Sequence, residues 1–331
     1  MAKKTRTSKP KQAQAIKVYN SSDGQAAASK FGQMIGDAFA DIVYKYIQQY
    51  LARDYPAYVL LEPDLGKKLL RLAMPGGTSR QLDNVISEKN SIDPVALFES
   101  KWLKDGRHHN DKGAWILQLK EISKHYPTVR GAVANLSGYW TEGIRVMFQS
   151  EGRVTMVLVA TDEEVYSSLQ PFIDAHIVEK QLEPLELNDM RAIRNKMPRP
   201  WDLANCLMFL KETGKLSEIA ASWLNFERRK GDDDSVILGK HLIEVAINNV
   251  LKPLPEVPQI VSFEISLQID SGNVIYRQFS DLEEALDFVE KYTGHPQAIL
   301  ETITPRPKEL SKVQLELLLV DEEISKDQED S

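Results

Sequence analysis

The stretch Arg80–Lys104, RQLDNVISEKNSIDPVALFESKWLK, decides the predicted fold. Gln81–Ser87 and Pro94–Trp102 are short segments rich in apolar, β-branched and aromatic residues, and the turn-forming segment Glu88–Asp93 separates them. This pattern predicts two neighbouring strands joined by a turn. The charged residues on which the functional argument depends lie on these two strands.

Three charged side chains are predicted to share one patch of this strand pair. Side chains at positions i and i+2 of a strand point to the same face, so Glu99 and Lys101 project together while Ser100 points the other way. If the first strand runs antiparallel to the second, Asp83 can reach Glu99 from the neighbouring strand.

This combination of groups suits a hard divalent cation. Mg²⁺ prefers oxygen ligands, and the carboxylates of Asp83 and Glu99 with the backbone carbonyl of Ser100 would leave positions for water and a phosphate oxygen. Mn²⁺ is expected to substitute for Mg²⁺. Beside the cation, Lys101 can position the attacking water or offset developing charge. We therefore predict phosphodiester hydrolysis, with Asp83, Glu99 and Lys101 as the catalytic residues.

The same residues resemble the motif of the PD-(D/E)XK nuclease superfamily, which includes the type II restriction endonucleases. In that superfamily an acid ends or lines one strand and (D/E)-x-K lies on the next, here Asp83 and Glu99-Ser100-Lys101. The resemblance extends from the preceding helix to about Thr161, roughly half of the chain. Leu82 stands where the family usually has a proline. The alternative is a surface hairpin in which the triplet's acid and lysine form an ordinary ion pair that contributes little to stability.

The resemblance implies a fold, an activity and partners. The fold would be α/β: a restriction-endonuclease-like αβββαβ core with a central mixed sheet flanked by helices, a helical region and a small C-terminal α+β unit. The activity would be Mg²⁺-dependent cleavage of double-stranded DNA by a homodimer, leaving 5′-phosphates. Family members often carry a further acid on the helix before the sheet, and Asp37 or Asp41 in the predicted helix Ala26–Leu51 can fill that place. The alternative is that both acids face solvent.

Residues that flank the predicted metal site are candidates for DNA contact. Arg107, His108 and His109 follow the triplet in the segment KDGRHHNDK, and Arg80 and Gln81 precede the first acid. These side chains can bind phosphate oxygens or enter a groove of the duplex. For the histidine segment, an exposed loop without function is the alternative.

Composition and prolines divide the chain into five segments. They are a basic disordered arm (1–20), the nuclease-like core (21–175), a helical region able to recognise DNA (176–252), a small ββαβ unit (257–305) and an acidic tail (306–331). The core is predicted to contain a first strand (Leu65–Met74), a turn (Pro75-Gly76-Gly77), a helix capped by Asn110 or Asp111 (Gly113–His125), a strand (Val129–Leu136), a segment favoured as helix over strand (Ser137–Gln149) and a buried strand before a cap at Thr161 (Val154–Ala160).

The later segments are predicted from the same periodicities. Four helices are expected in the helical region: Asn188–Asn195, Trp201–Thr213, Leu216–Phe226 and Val236–Leu251. The last unit is expected to contain two strands, a helix and a third strand: Ile260–Ile269, Val274–Phe279, Leu282–Tyr292 and Ala298–Thr304.

The composition limits which class of protein this can be and in which compartment we expect it. The 331-residue chain is 42% hydrophobic, has no apolar run near the ~18 residues of a membrane span, and has no hydrophobic segment after its basic start that would act as a secretory signal. Cys206 is the only cysteine, which excludes an internal disulfide and fits a reducing compartment. We therefore expect a cytoplasmic protein without membrane association. The net charge of −7 opposes nucleic-acid binding, but the basic arm and acidic tail separate the charges.

Four functions are compatible with the sequence. The leading one is a type II restriction enzyme, and a second keeps the chemistry but acts on repair or recombination intermediates. A third is a DNA-binding protein that keeps the nuclease fold without cutting, and the intact trio of acid, acid and lysine argues against it. The fourth is an α/β protein with a coincidental triplet, which would show no stabilisation by Mg²⁺.

Overall fold

The computed structural model describes residues 16–61, 70–74, 77–150, 154–187, 189–229, 236–253 and 259–303. The chain divides into two compact units, Met1–Lys252 and Pro253–Ser331, at the predicted proline-rich boundary. Residues 1–15 of the predicted disordered arm and the predicted acidic tail lie outside the described residues. Within the arm, Tyr19 exchanges two backbone hydrogen bonds with the side chain of Asn205, at 2.9 and 2.8 Å.

A five-stranded mixed sheet forms the centre of the first unit. The strands of this unit are, in chain order, β1 (Tyr58–Leu60), β2 (Leu70–Ala73), β3 (Ser79–Leu82), β4 (Asn84–Glu88), β5 (Pro94–Leu103), β6 (Gly131–Gly138), β7 (Val154–Ala160), β8 (Glu227–Arg229) and β9 (Val236–Leu238). The central sheet has the order β1-β4-β5-β6-β7, antiparallel from β1 to β5 and parallel from β5 to β7. β5 and β6 are buried on both faces, which explains their nearly continuous apolar sequences.

Helices cover both faces of this sheet. They are α1 (Gly24–Asp54), α2 (His109–His125), α3 (Glu142–Ser150), α4 (Asp162–Glu179), α5 (Met190–Asn195), α6 (Pro200–Glu212), α7 (Lys215–Trp223) and α8 (Gly239–Leu251). One core joins α1, α4, α6, α7 and α8 to the sheet, and a second core joins α2 and α3 to its other face. The predicted helical region 176–252 therefore packs in the same core as the sheet. The predicted mixed α/β sheet flanked by helices is confirmed.

The predicted first strand, Leu65–Met74, is wrong as the sheet's edge. That place belongs to β1, whose Tyr58 pairs with Glu88 of β4. Residues 62–69 lie outside the described part, and β2 pairs instead with β3 in a separate two-stranded ribbon. In that ribbon β2 buries only Leu72.

Other boundaries differ because tertiary contacts extend or shorten the local patterns. Helix α2 begins at His109, so Asn110 and Asp111 lie inside its first turn and are not its caps. The predicted helix Ser137–Gln149 exists but begins later, at Glu142, because its first residues continue β6. Likewise, Val236–Leu238 forms β9 and pairs with β8, so α8 begins at Gly239. The predicted cap at Thr161 is confirmed, and its side chain and that of Glu164 form a reciprocal capping box.

The second unit is a hairpin with two helices. Its elements are β10 (Phe263–Gln268), β11 (Val274–Phe279), α9 (Leu282–Gly294) and α10 (Pro296–Ile303). The hairpin and the helix capped by Asp281 are confirmed. The predicted last strand, Ala298–Thr304, is wrong, since residues 298–303 belong to α10. Pro296 at the first position favours a helix start, and the Thr302 hydroxyl donates to the Ala298 carbonyl one turn earlier.

The backbone conformation at position 138, at the end of β6, requires a glycine. Its φ is +97°, and a Cβ added there would lie 2.1 Å from the carbonyl oxygen of Leu103. Gly138→Ala is therefore expected to lower the free energy of unfolding by at least about 2 kcal/mol. Urea denaturation measures this, with Gly143→Ala as the matched control because a Cβ at Gly143 meets no described atom within 4 Å. Equal stability of the two variants would contradict the assignment.

Candidate active site

The pleat of β5 sends the residues of the triplet to opposite faces of the sheet. Ser100 points to the side on which its neighbour Trp102 packs with α1 and Tyr166. Glu99 and Lys101 point to the other side, with Leu97 and Leu103 of the second core. The predicted arrangement of the triplet is therefore observed.

Asp83 lies at a break between β3 and β4, so the predicted strand Gln81–Ser87 is interrupted there. Its Oδ2 accepts a hydrogen bond of 2.8 Å from the backbone N–H of Ser100 and lies 3.1 Å from Nζ of Lys101. The carboxylate thus takes the place of a backbone carbonyl in the sheet ladder, and this replacement ends the pairing of β4 with β5. Lys101 Nζ also donates to Glu99. The three predicted catalytic side chains therefore converge.

Burial makes this cluster electrostatically unusual. The side chains of Glu99, Lys101 and Asp83 are 3%, 15% and 19% exposed. Burial, followed by the negative charge of Asp83, raises the pKa of Glu99 to about 8, and Lys101 opposes this rise only in part. Burial lowers the pKa of Lys101, but the two carboxylates outweigh it, so its pKa lies above the usual value. The ammonium therefore stays charged and neutralises one of two crowded carboxylates.

The cluster opens onto a cavity of about 780 Å³ between α1 and β5. Its described wall consists of one face of α1, the first acid and the end of β5 with the segment after it: Gln25, Ala28, Ser29, Gly32, Gln33, Gly36, Asp37, Ala40, Asp83, Ser100, Lys101, Trp102, Leu103, Lys104 and Arg107. Glu99 is not among these residues. A cation entering from the cavity would thus meet Asp83 and Lys101 before the buried Glu99.

The donor set fits Mg²⁺ better than a transition metal. Among the described residues, no three His, Cys, Asp or Glu side chains are grouped so that they could hold one metal ion. Mg²⁺ does not need such a group, since it commonly binds through one or two carboxylates and keeps its remaining ligands as water or phosphate oxygens. Asp83 and Glu99 supply the two carboxylates, and their mutual repulsion gives a cation a reason to bind.

The two candidate acids of α1 differ in position. Asp37 lines the cavity and forms an ion pair of 3.8 Å with Lys211. Asp41, one turn later, forms an ion pair of 2.6 Å with Lys45 and is not among the described residues of the cavity wall. Of the two acids, only Asp37 therefore lies among the described residues of the cavity wall to which Asp83 also belongs.

The structure also separates the predicted DNA contacts. Arg80 and Gln81 are exposed on β3. Arg107 lines the cavity, but its guanidinium already donates two hydrogen bonds, of 3.0 and 2.8 Å, to Asp105. His108 ends a short 3₁₀ turn and His109 begins α2, while their side chains lie outside the described part.

Sequence reasoning missed two features of this site. One is Asp105, a buried residue that forms ion pairs with both Lys104 and Arg107. The hydrogen bonds from Arg107 are the main reason that the pKa of Asp105 lies below its usual value. The face of α1 that lines the cavity was also missed. A signal was present, because Gln25, Ser29 and Gln33 recur every four residues, the spacing of neighbours along one helix face.

No protein-family model, curated protein or solved structure matches this chain. The resemblance to PD-(D/E)XK nucleases therefore depends on the chain's own residues and their arrangement. Among the described helices, none combines the length and apolar character needed to cross a membrane.

Proposed function

We propose that this protein is a Mg²⁺-dependent DNA endonuclease that hydrolyses phosphodiester bonds. The observation that carries the proposal is the meeting of Asp83, Glu99 and Lys101 at the side of an open cavity. A stability role explains the trio poorly, because burial beside Asp83 raises the pKa of Glu99 to about 8, and burying an ionisable group in this way costs stability whenever it must ionise. Such an arrangement is typical of sites where ionisable groups do chemistry.

Each residue has a role in the proposed reaction. Asp83, Glu99 and the Ser100 carbonyl would hold Mg²⁺, which when bound supplies positive charge to the phosphate and acidifies a water. Lys101 orients the attacking water and offsets the charge that develops on phosphorus-bound oxygens. The attacking water gives a proton to solvent as its oxygen bonds to phosphorus, and the bond to the 3′ oxygen breaks. The 3′ oxygen takes up a proton, which leaves a 3′-hydroxyl and a 5′-phosphate.

The order of elements around the sheet favours a restriction-endonuclease-like core. A long helix, α1, precedes three antiparallel strands that end on the triplet, and α2 leads to the parallel strand β6. The resemblance to type II restriction endonucleases then implies double-stranded DNA as the substrate, cut at a specific sequence by a homodimer, and the composition implies the cytoplasm as the location.

Incubation of the purified protein with unmethylated plasmid and phage DNA, in Mg²⁺ or EDTA, tests the proposal. The wild type should produce discrete fragments in Mg²⁺ and none in EDTA. Asp83→Asn should abolish cutting, because it removes a metal ligand while the amide oxygen can still accept from Ser100. Asp174→Asn is the control, since Asp174 is exposed on α4.

The same assay distinguishes the alternative substrates. Cutting only at flaps, ends or junctions would replace the restriction role with a repair or recombination role. If wild-type protein cuts no duplex, single-stranded or branched DNA, or if Asp83→Asn cuts as well as the wild type, the nuclease proposal is wrong.

A further inference from the structure

Helix α9 of the second unit carries more apolar surface than the described residues cover. Its side buried against the hairpin is formed by Ala285, Phe288 and Tyr292. Leu282, Leu286 and Val289 recur at the four- and three-residue spacing of one helix face, beside the buried side, and Leu282 and Leu286 are 52% and 58% exposed. These three residues are called the α9 stripe. The helix is therefore apolar on two adjacent sides, of which one is covered.

The core of the second unit is small. Among the described residues 259–303, its buried apolar residues are Ile275, Phe279, Ala285, Phe288, Tyr292 and Ala298. Within the described part, β10 and β11 pair only with each other, and a two-stranded hairpin is marginally stable by itself. Units of so few residues bury a small share of their surface and gain stability from any apolar surface they can add. A segment that covers the α9 stripe would supply such surface.

The chain after α10 contains an apolar segment. Residues 304–331 lie outside the described residues, and within them six of the eight residues Val313–Val320, VQLELLLV, are apolar. Burial of apolar side chains against an apolar surface is favourable in water. The α9 stripe offers that surface within the same unit, Pro253–Ser331. Segment and stripe therefore match in chemical character.

The connection between α10 and this segment is long enough to reach the stripe. Helix α10 ends at Ile303, directly after Thr302, whose hydroxyl oxygen lies 3.1 Å from that of Tyr292 in the last turn of α9. Nine residues, 304–312, separate this point from Val313 and can span up to about 30 Å. The 13 residues of α9 extend over about 20 Å. The segment can therefore reach every position of the stripe.

Charge favours this segment over a second copy of the unit as the cover of the stripe. The connection 304–312 carries three bases and one acid, namely Arg306, Lys308, Lys312 and Glu309. Helix α9 carries four acids and one base, namely Glu283, Glu284, Asp287, Glu290 and Lys291. The basic connection is attracted to the acidic helix, whereas two α9 helices packed stripe to stripe would bring like charges together.

We propose that Val313–Val320 packs against the α9 stripe and completes the core of the second unit. The segment removes Leu282 and Leu286 from water, and the acidic end of the chain follows it from Asp321 onward. This inference goes beyond the proposed nuclease function and does not depend on it.

Crosslinking of introduced cysteines in the full chain tests the contact. The natural Cys206 does not interfere, because it is 1% exposed and burial raises the pKa of its thiol to about 12. Leu286→Cys combined with Glu316→Cys should form an intramolecular crosslink with a short bis-maleimide. Asp287→Cys with Glu316→Cys is the matched control, since Asp287 is exposed at the same level of α9 but on another side. The first pair should react at least about tenfold faster, because packing raises the effective concentration of the two thiols.

Hydrogen exchange followed by mass spectrometry tests the same contact without cysteines. Leu286→Asp places a charge on the stripe and should speed exchange of the amides of 313–320 at least about tenfold, because it opens the packed segment. The folding of the described residues should be unaffected, since Leu286 is exposed among them. Asp287→Asn is the control and should leave this exchange unchanged.

Three results would overturn the proposal. One is an equal crosslinking rate for the two cysteine pairs. Another is wild-type exchange of the amides of 313–320 as fast as in Leu286→Asp. The third is a Leu286→Cys crosslink that forms mainly between two chains and speeds up with protein concentration, which would make a second copy the occupant of the stripe.

Discussion

Replacing Lys101 with methionine is expected to lower the rate of Mg²⁺-dependent DNA cleavage roughly a thousandfold, the upper end of the usual loss when one preorganised group that stabilises transition-state charge is removed. Methionine keeps the length and much of the volume of the side chain but removes the ammonium. In the protein, that ammonium contacts both carboxylates, at 3.1 Å from Asp83 Oδ2 and within hydrogen-bonding distance of Glu99. No other described side chain lies between Asp83 and Glu99 in this way to replace it.

The measurement is an initial rate of plasmid cleavage, with a thermal melt to show that the variant is folded. Lys124→Met is the control, because Lys124 is exposed on α2 and pairs with Glu121 at 3.1 Å. Cleavage by a folded Lys101→Met protein at the wild-type rate would remove Lys101 from the mechanism, and with it the chemical significance of the triplet.

The stability of the protein in EDTA is expected to fall as the pH rises from about 4.5 to about 8. In the unfolded chain Glu99 has an ordinary pKa of 4.5, and in the folded protein burial and Asp83 raise it to about 8. Between these values the folded state holds a proton that the unfolded state has lost, so raising the pH favours unfolding. At about 1.4 kcal/mol per pH unit, the loss amounts to several kcal/mol.

Urea denaturation at intervals across this pH range measures the effect. Glu99→Gln should flatten the profile, since the amide does not titrate. Lys101 does not contribute here because its pKa lies above its ordinary value of 10.5. A wild-type profile as flat as that of Glu99→Gln would contradict the burial of an ionisable Glu99.

Mg²⁺ should restore the stability that is lost at high pH. A cation that binds only the folded state stabilises it by about 2.7 kcal/mol at one hundred times its dissociation constant. The effect should be larger at pH 8 than at pH 6, because protons and Mg²⁺ compete for the same carboxylates, and it should be reduced in Glu99→Gln. No Mg²⁺ effect at either pH would favour a coincidental triplet.

Several parts of the fold were predictable because their signals are local. The apolar runs of β5 and β7 are long enough to identify buried strands, and the capping box between Thr161 and Glu164 marks the start of α4 within four residues. The pleat of a strand alone placed Glu99 and Lys101 on one face. Each of these inferences needs only the backbone geometry of a single element.

Other features required knowledge of which elements meet. The choice of β1 over Leu65–Met74 as the sheet's edge depends on pairing with β4, and the start of α8 depends on the pairing of β9 with β8. For Ala298–Thr304 the local pattern fitted a strand, but Pro296 and packing against Tyr292 of α9 favoured a helix.

The sequence by itself determined the mixed α/β class, the order of the main elements and the chemical types present in the candidate site. Only the tertiary structure decided that Asp83 accepts a hydrogen bond from the backbone of Ser100, that Glu99 is buried behind Lys101, and that one side of α1 lines the cavity. The physical reason is range: periodicity reports which side of one element is apolar, whereas distances, burial and pKa depend on residues brought together from distant parts of the chain.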